Sequence, residues 1–504
     1  MSDPSLIELS KRPTYIGVAK EPVNGIFMEP IFAIEIKVLR NSGNLVAQIH
    51  SQLSNAILQG RLCSGTPIPS SRILAAQLKV SRNTVLQAYA RLQSEGLLVT
   101  REGSGTIVAN IEALLPHLTT TANLFTRVNA HWQSNTLFAQ PTPAPIEFDF
   151  SMGIADTSLF PFALWRRCIS RQYRKMETRT MEMGHPAGQP VLRKMISGFV
   201  SQSRAVSCNP EQIFVCSGAQ QAYVLLAQLF IKPGETCVAI ESPGYPMARR
   251  AFVAAGARIF DVPVDGEGLI VDAIPPEVNI IFVTPTHQFP TSVPMSISRR
   301  AALLQLANQR DMLVIEDDYD SEFRIGAQPI DALQTLDSQG RVFYVGTFSK
   351  CMFFDIRTGF VVAPEWAIPY LATTRQAQDW RNPLVTQLAL AEFMQTGELR
   401  RHLFRMNRIY EQKYDTIVAT VNRIAKGILT PTLMLAGVHL TLDLNRKYSA
   451  QQVCNDALQR GIKLHNGAEF SVTPDIPNQL MLGLGRIAQH NIEPAIERLV
   501  ECIR

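Results

Sequence analysis

The sequence predicts two folds in series: a small module of three short helices closed by a β-hairpin, then a large α/β domain built on a mostly parallel sheet. Three observations carry this. At 504 residues the chain is too long for one ordinary hydrophobic core. Between Asn44 and Asn110, apolar residues recur at helical spacing in three short stretches and then alternate around a Gly-rich turn. From Phe148 onward, short and wholly apolar runs are separated by helical stretches, the pattern of strands covered by helices on both faces.

In the first module, Ile49, Leu53 and Ile57 mark one helix, with Gly60 placed to end it. Ser70 or Ser71 can cap a second helix whose Leu74, Ala75 and Leu78 face inward. Ser81 can cap a third, RNTVLQAYARLQSEG, in which Val85, Ala88, Tyr89 and Leu92 form the buried stripe. Arg82, Asn83, Thr84, Gln87 and Arg91 are left on its polar side. The segment LLVTREGSGTIVA then reads as a two-stranded hairpin. Net charge over the chain is +5, and this module carries six Lys/Arg against two Glu, so most of the excess sits here. A polar, basic first turn on the third helix suits base edges and phosphates better than it suits a plain interaction module.

The run GRLCSGTPIPSSRILAAQLKVSRNTVLQAYARLQSEG, followed by GSGT, resembles the GntR winged helix-turn-helix over residues 33–110. That resemblance implies a double-stranded DNA operator as partner, with Arg72, Arg82 and Thr84 touching DNA and the wing turn around Gly105 lying along the backbone. Asn83 and Gln87 share the same face. Residues 1–32 form an unassigned N-terminal extension, and residues 111–145, with their Pro-Thr-Pro-Ala-Pro stretch, read as a linker.

In the large domain, assigned to residues 146–504, the apolar runs are QIFVCS, TCVAIESP, NIIFVTP, MLVIEDD, VFYVGTFS and GFVVAP. Ser217, Glu241, Thr284, Asp317 and Ser349 stand at the C-terminal ends of five of them, where open α/β sheets bind ligands. A lone strand-end lysine is ordinarily surface charge. Lys350, however, follows Gly346-Thr347-Phe348-Ser349 and precedes Arg357, and the SGAQQ segment starts a helix. Hydroxyls, a helix start and an arginine make a phosphate cradle. Asp317 can hold a pyridinium nitrogen protonated while Lys350 carries an aldehyde as a Schiff base. Tyr319 can donate to a ring oxygen, and Tyr245 can stack on the ring face.

This constellation resembles the fold-type I pyridoxal-phosphate enzymes of the aspartate aminotransferase kind. With the first module, the whole resembles the bacterial MocR/GabR-type transcription regulators, on the segments FDFSMGIADTSLFP, SGAQQA, PGYP, PTHQFPT, SRRAALLQLA, IEDDYDSEFR and GTFSK. The resemblance implies pyridoxal 5′-phosphate as cofactor. Lys350 would be linked to it, Asp317 would face the ring nitrogen, and Tyr319 and His287 would lie near the ring oxygen. Gly218, Ala219, Gln220, Thr347 and Arg357 would surround the phosphate. It also implies a homodimer, while AGVHLTLDL resembles the start of the family's small subdomain.

Three departures bear on the substrate side. Met481, in LMLGLG, stands where related aminotransferases carry a carboxylate-binding arginine, with Arg486 as a nearby substitute. Phe289 stands where many have asparagine, and CMFFDI replaces a smaller loop after Lys350. A methionine cannot make a bidentate charge-assisted contact. Three readings follow: a regulator that senses pyridoxal phosphate or an amine or amino acid, an aminotransferase that also regulates transcription, or a DNA-binding protein with a non-catalytic dimerisation scaffold. Met481 speaks against the second, and Lys350 with Asp317 against the third. No metal site is expected. The scattered cysteines, and an N-terminus without a charged-then-apolar pattern, lead to the expectation of a cytoplasmic, nucleoid-associated protein with no membrane partner.

Overall fold

The computed structural model describes residues 36–39, 44–101, 105–110, 145–177, 184–324, 331–432, 434, 436–472 and 477–503. They fall into two compact units divided between Val128 and Asn129. The N-terminal extension expected at 1–32 and the linker expected at 111–145 lie outside the described residues, save for Pro145.

The first unit contains α1 (Leu45–Leu58), α2 (Ser71–Leu78), α3 (Arg82–Ser94) and the antiparallel hairpin β1 (Leu98–Arg101) and β2 (Gly105–Val108). Each helix starts on a side-chain oxygen: Asn44 caps α1, Ser70 caps α2 and Ser81 caps α3. Ile49, Leu53, Ile57, Leu74, Val85, Ala88 and Leu92 bury together in one core, as their spacing demands. Tyr89 extends the core with a polar end, its hydroxyl donating to the Pro69 carbonyl at 2.8 Å and so fixing the approach to α2.

The second unit begins with β3 (Phe148–Asp149), α4 (Phe162–Glu177) and α5 (Pro190–Arg204), and continues through β4 (Ile213–Cys216), α6 (Ala219–Phe230), β5 (Cys237–Ser242) and α7 (Pro246–Ala254). Next come β6 (Arg258–Asp265), β7 (Gly268–Leu269), β8 (Ile280–Val283), α8 (Ile297–Gln309), β9 (Leu313–Asp318), β10 (Val342–Thr347) and β11 (Gly359–Val362). Helices α9 (Ile368–Gln378), α10 (Leu384–Gln395) and α11 (Glu398–Ile424) lead to the C-terminal part. That part holds β12 (Leu429–Pro431), β13 (His439–Leu444), α12 (Ala450–Gln459), β14 (Ile462–Lys463), β15 (His465–Asn466), β16 (Gln479–Gly483) and α13 (Ile492–Ile503).

The large sheet has the order β4-β11-β10-β9-β8-β5-β6-β7. Strands β10, β9, β8, β5 and β6 run parallel, whereas β11 is antiparallel to both of its neighbours. Strands β4, β5, β8, β10 and β11 are buried at every position, which explains their unbroken apolar text. A smaller sheet, β12-β13-β16-β15, packs its Leu440, Leu442, Leu480 and Leu482 into the largest core cluster. No helix among the described residues is long and apolar enough to cross a membrane.

Candidate functional site

On the first unit, Arg72, Arg82, Asn83 and Gln87 are exposed, as is Gly105 at the start of β2. The Arg82 Nε donates to Ser71 Oγ at 3.3 Å, which ties the start of α3 to α2. Thr84 is half-buried, its backbone N–H and hydroxyl both engaged by the Ser81 cap at 3.1 and 2.7 Å. Thr84 therefore serves the cap geometry as well as the exposed face. Gly105 adopts φ +74, a left-handed conformation that favours glycine, and the tip residues 102–104 lie outside the described residues.

On the second unit, the strand ends converge. Lys350 follows β10, half-buried, with its Nζ donating to the Gly153 carbonyl. Gly153 sits at φ +67, and a Cβ there would lie 2.7 Å from that nitrogen. Glycine at 153 thus makes room for the lysine. Burial lowers the proton affinity of the Lys350 amine, against the opposing pull of Asp320 and Asp317. Asp317, at the end of β9, is 3 % exposed, and its carboxyl is raised to about 7 by burial despite a hydrogen bond with Tyr223. Its Oδ1 has no hydrogen-bond partner, an uncommon and costly state for a buried carboxyl oxygen.

The residues expected at the phosphate come together from distant segments. Gly218, at φ +83, is the N-cap of α6 and offers no side-chain cap, so the N–H groups at Ala219 and Gln220 head the helix. The Arg357 Nη2 donates to the Ser217 carbonyl at 3.0 Å, and a Cβ on Gly218 would come within 3.5 Å of its guanidinium. A Cβ on Gly359 would come within 3.0 Å of Gly218, so glycine lets β11 approach the cradle. Thr347 is buried, its Oγ1 accepting from the Ser349 N–H at 3.2 Å. Beneath the cradle, the buried Arg375 donates to Gln221 and Asn382, and Asn382 donates to Ser217 Oγ at 3.1 Å. The sequence reading reaches Ser217 and the SGAQQ segment but not Arg375 or Asn382.

Tyr245, half-buried at the start of α7, packs edge-on to Phe289 at 5.3 Å. Tyr319 donates to the His287 carbonyl at 3.4 Å, and its ring lies 4.4 Å from the His287 ring. His287 is also bonded through Nε2 to Asp320, a buried partner that the sequence reading passed over. Glu241 and Thr284 meet directly: Glu241 Oε2 accepts from the Thr284 hydroxyl at 2.6 Å, and Thr284 in turn accepts from the Phe289 N–H at 2.9 Å. Their network supports the Phe289 turn.

On the substrate side, Met481 is fully buried and pairs in register with Thr441. Strand alternation puts it on the face of β16 opposite Leu480 and Leu482, together with the Thr441 and His439 face of β13. That face meets the Phe289 turn, since His439 and Thr441 both contact the Pro290 carbonyl, at 3.2 and 3.3 Å. Arg486 is no substitute: it is exposed and paired with Asp149 at 2.7 Å. A cleft of about 1220 Å³ in this unit is lined by Pro243, Ser292, Arg446 and Gln479 but by none of Lys350, Asp317 and Arg357.

The residues fit pyridoxal 5′-phosphate: an amine on Lys350, an orphaned acid oxygen on Asp317 and an open cradle at Gly218 and Arg357. A helix-turn-helix reader on one chain with this site defines a class, a DNA-binding regulator carried on an aminotransferase scaffold. Comparison with known proteins agrees. Residues 45–108 match the gntR family of bacterial regulatory proteins, and residues 152–499 match the class I and II aminotransferases. The probable rhizopine catabolism regulatory protein MocR of Rhizobium meliloti is 34 % identical over 82 % of this chain and 85 % of its own. The pyridoxine biosynthesis transcriptional regulator PdxR of Corynebacterium glutamicum is 33 % identical over 79 % and 83 %. Among solved structures, an archaeal alanine:glyoxylate aminotransferase superposes with a TM-score of 0.66 at 26 % identity, covering 72 % of this chain and 91 % of that one. The chain belongs to the MocR-type transcription regulators, with a GntR DNA-binding domain and a fold-type I domain whose cofactor is pyridoxal 5′-phosphate.

Proposed function

We propose that this regulator senses pyridoxal phosphate, or an amine or amino acid that reacts with it, at Lys350, and that occupancy of the site alters its grip on operator DNA. The orphaned Oδ1 of Asp317, buried beside the strand-end lysine, carries this reading. Pyridoxal phosphate, when bound, supplies an aldehyde reactive toward amines and an electron sink. Lys350 presents the amine that holds the aldehyde carbon. Asp317 accepts the hydrogen bond of the ring nitrogen, Tyr319 and His287 border the ring oxygen, and Tyr245 covers a face. Arg357, the Thr347 hydroxyl and the N–H groups of Ala219 and Gln220 bind the phosphate. On DNA, Arg72, Arg82, Asn83 and Gln87 face the groove, Thr84 does so from beside its cap, and the wing at Gly105 follows the backbone. A cytoplasmic homodimer, binding two half-sites, completes the reading.

Met481 makes sustained transamination the weaker alternative. Met481 carries no charge to fix a substrate carboxylate and Arg486 is held by Asp149, and fixed orientation supplies much of a transaminase's rate. Purified protein loaded with the cofactor and offered a panel of amino acids should show a ligand-dependent change in its visible spectrum. With a keto-acid acceptor, it should not turn over near the ~10 s⁻¹ typical of enzymes. Borohydride should fix the cofactor to Lys350. Sustained turnover at that rate would promote the aminotransferase reading, and protein that takes up no added cofactor would defeat the assignment of the site. Met481→Arg should create a preference for amino acids over simple amines.

A further inference from the structure

Beneath the phosphate cradle lies a guanidinium that the cofactor assignments leave without a task. Arg375, in the last turn of α9, is 0 % exposed. Its Nη1 donates to Gln221 Oε1, its Nη2 donates to Asn382 Oδ1 at 2.6 Å, and its Nε faces Asp379 Oδ1 at 2.6 Å. A guanidinium only donates, so it turns both amide oxygens toward itself and leaves both amide nitrogens to donate on the far side. Gln221 Nε2 reaches Asp379 Oδ2 at 3.0 Å, and Asn382 Nδ2 reaches Ser217 Oγ at 3.1 Å. Gln221 Oε1 also accepts the Ser217 N–H at 2.7 Å, while the Ser217 carbonyl accepts from Arg357 at 3.0 Å. All three polar groups of Ser217 are therefore held, two of them by amides that Arg375 orients. The next residue is Gly218, which heads α6 without a side-chain cap, so the aim of the helix-start N–H groups follows from how Ser217 is fixed.

We infer that Arg375 is a positioning residue that, through Gln221 and Asn382, sets the shape of the Ser217–Gly218 turn and thereby the site's affinity for the phosphate end of its ligand. The inference rests on the reading of Gly218, Ala219, Gln220 and Arg357 as the phosphate cradle. A buried guanidinium is costly unless its donors are used and its charge is met. Here the donors go to the two amides and the charge to Asp379, the C-cap of α9. Asn382 is secured in turn from α10, whose Gln387 donates to its carbonyl at 3.0 Å and accepts the Gln189 N–H at 2.8 Å. The cradle is thus braced by α9, α10 and the residue before α5. The groups expected at the ring end bond elsewhere: Lys350 to the Gly153 carbonyl, Asp317 to Tyr223 and Tyr319 to the His287 carbonyl. Loss of Arg375 is therefore felt at the phosphate and not at the ring.

The test compares two probes on cofactor-free protein: pyridoxal 5′-phosphate, and pyridoxal, which has the same ring and aldehyde without the phosphate. Their dissociation constants are read from the visible absorbance change on titration. Arg375→Met should raise the Kd for pyridoxal phosphate by about 10-fold, the scale of a lost hydrogen bond to a charged group, and leave that for pyridoxal nearly unchanged. Asn382→Ala keeps Arg375 and Gln221 in place and should give a smaller loss of the same phosphate-selective kind, which decides the matter even where Arg375→Met does not fold. Combining Arg375→Met with Gln221→Met should cost less than the product of the two single losses, because both act through one amide. Equal losses for the two probes, the absence of a phosphate-selective loss in Asn382→Ala, or fully multiplicative losses in the double variant would each overturn the inference. Parent protein that takes up no pyridoxal phosphate, or binds it no better than pyridoxal, would instead defeat the reading of the cradle itself, and the inference with it.

Discussion

Glu241 is enclosed at the end of β5, where burial lifts its carboxyl from an ordinary 4.5 to about 7 in spite of three hydrogen bonds from Thr284 and Gln288. Between those two values the folded chain holds a proton that the unfolded chain has lost. Stability is therefore greatest at the acid end of that window and falls as pH rises through it, by about 3 kcal/mol for a shift of this size. Glu316 and Asp317, both raised to about 7 by burial, act in the same direction. The urea midpoint of cofactor-free protein should accordingly fall between pH 5 and pH 8, and Glu241→Gln should flatten the fall. An identical pH slope in the variant would show that Glu241 is ionised in the native state.

Helix α3 shows how sequence periodicity orients an element. Its buried stripe of Val85, Ala88, Tyr89 and Leu92 fixes its rotation, and that rotation leaves Arg82, Asn83 and Gln87 outward. Arg82→Ala should cost about 1–3 kcal/mol in operator binding if Arg82 reads a base edge. A loss equal on all sequences, with a shallower salt dependence, would place it on phosphate instead. Unchanged operator affinity would mean that this face of the helix is not the reading face. The stripe was legible because helical period and caps agree along one short segment. The buried strands were legible for the same kind of reason, their apolar text being unbroken. Strand β6 was not: Arg258–Asp265 mixes exposed and half-buried positions beside the short β7, so it lacks the continuous apolar run of the inner strands. Lys350, Asp317 and Arg357 could be proposed because each stands in a short motif. The partner of Lys350 could not, because contact joins residues far apart in the chain, Gly153 to Lys350 across 197 positions. Gly153 did stand inside a quoted motif, and its need for a left-handed backbone was the available signal.

Across the whole chain, two units with separate cores carry the two halves of a regulator, one facing DNA and one holding a reactive aldehyde. A small ligand can shift such a protein between arrangements only by binding them unequally. The central claim is that the cofactor at Lys350 speaks to the DNA-binding unit. It is tested most directly by measuring operator affinity at fixed salt for parent protein and Lys350→Ala, each with and without saturating pyridoxal phosphate, once the operator has been mapped on genomic DNA. Added cofactor should change the parent protein's Kd by about 5-fold or more, the lower end of ordinary allosteric coupling, and leave Lys350→Ala unmoved. Equal affinity of the parent protein with and without cofactor, while its spectrum shows the site filled, would contradict the account.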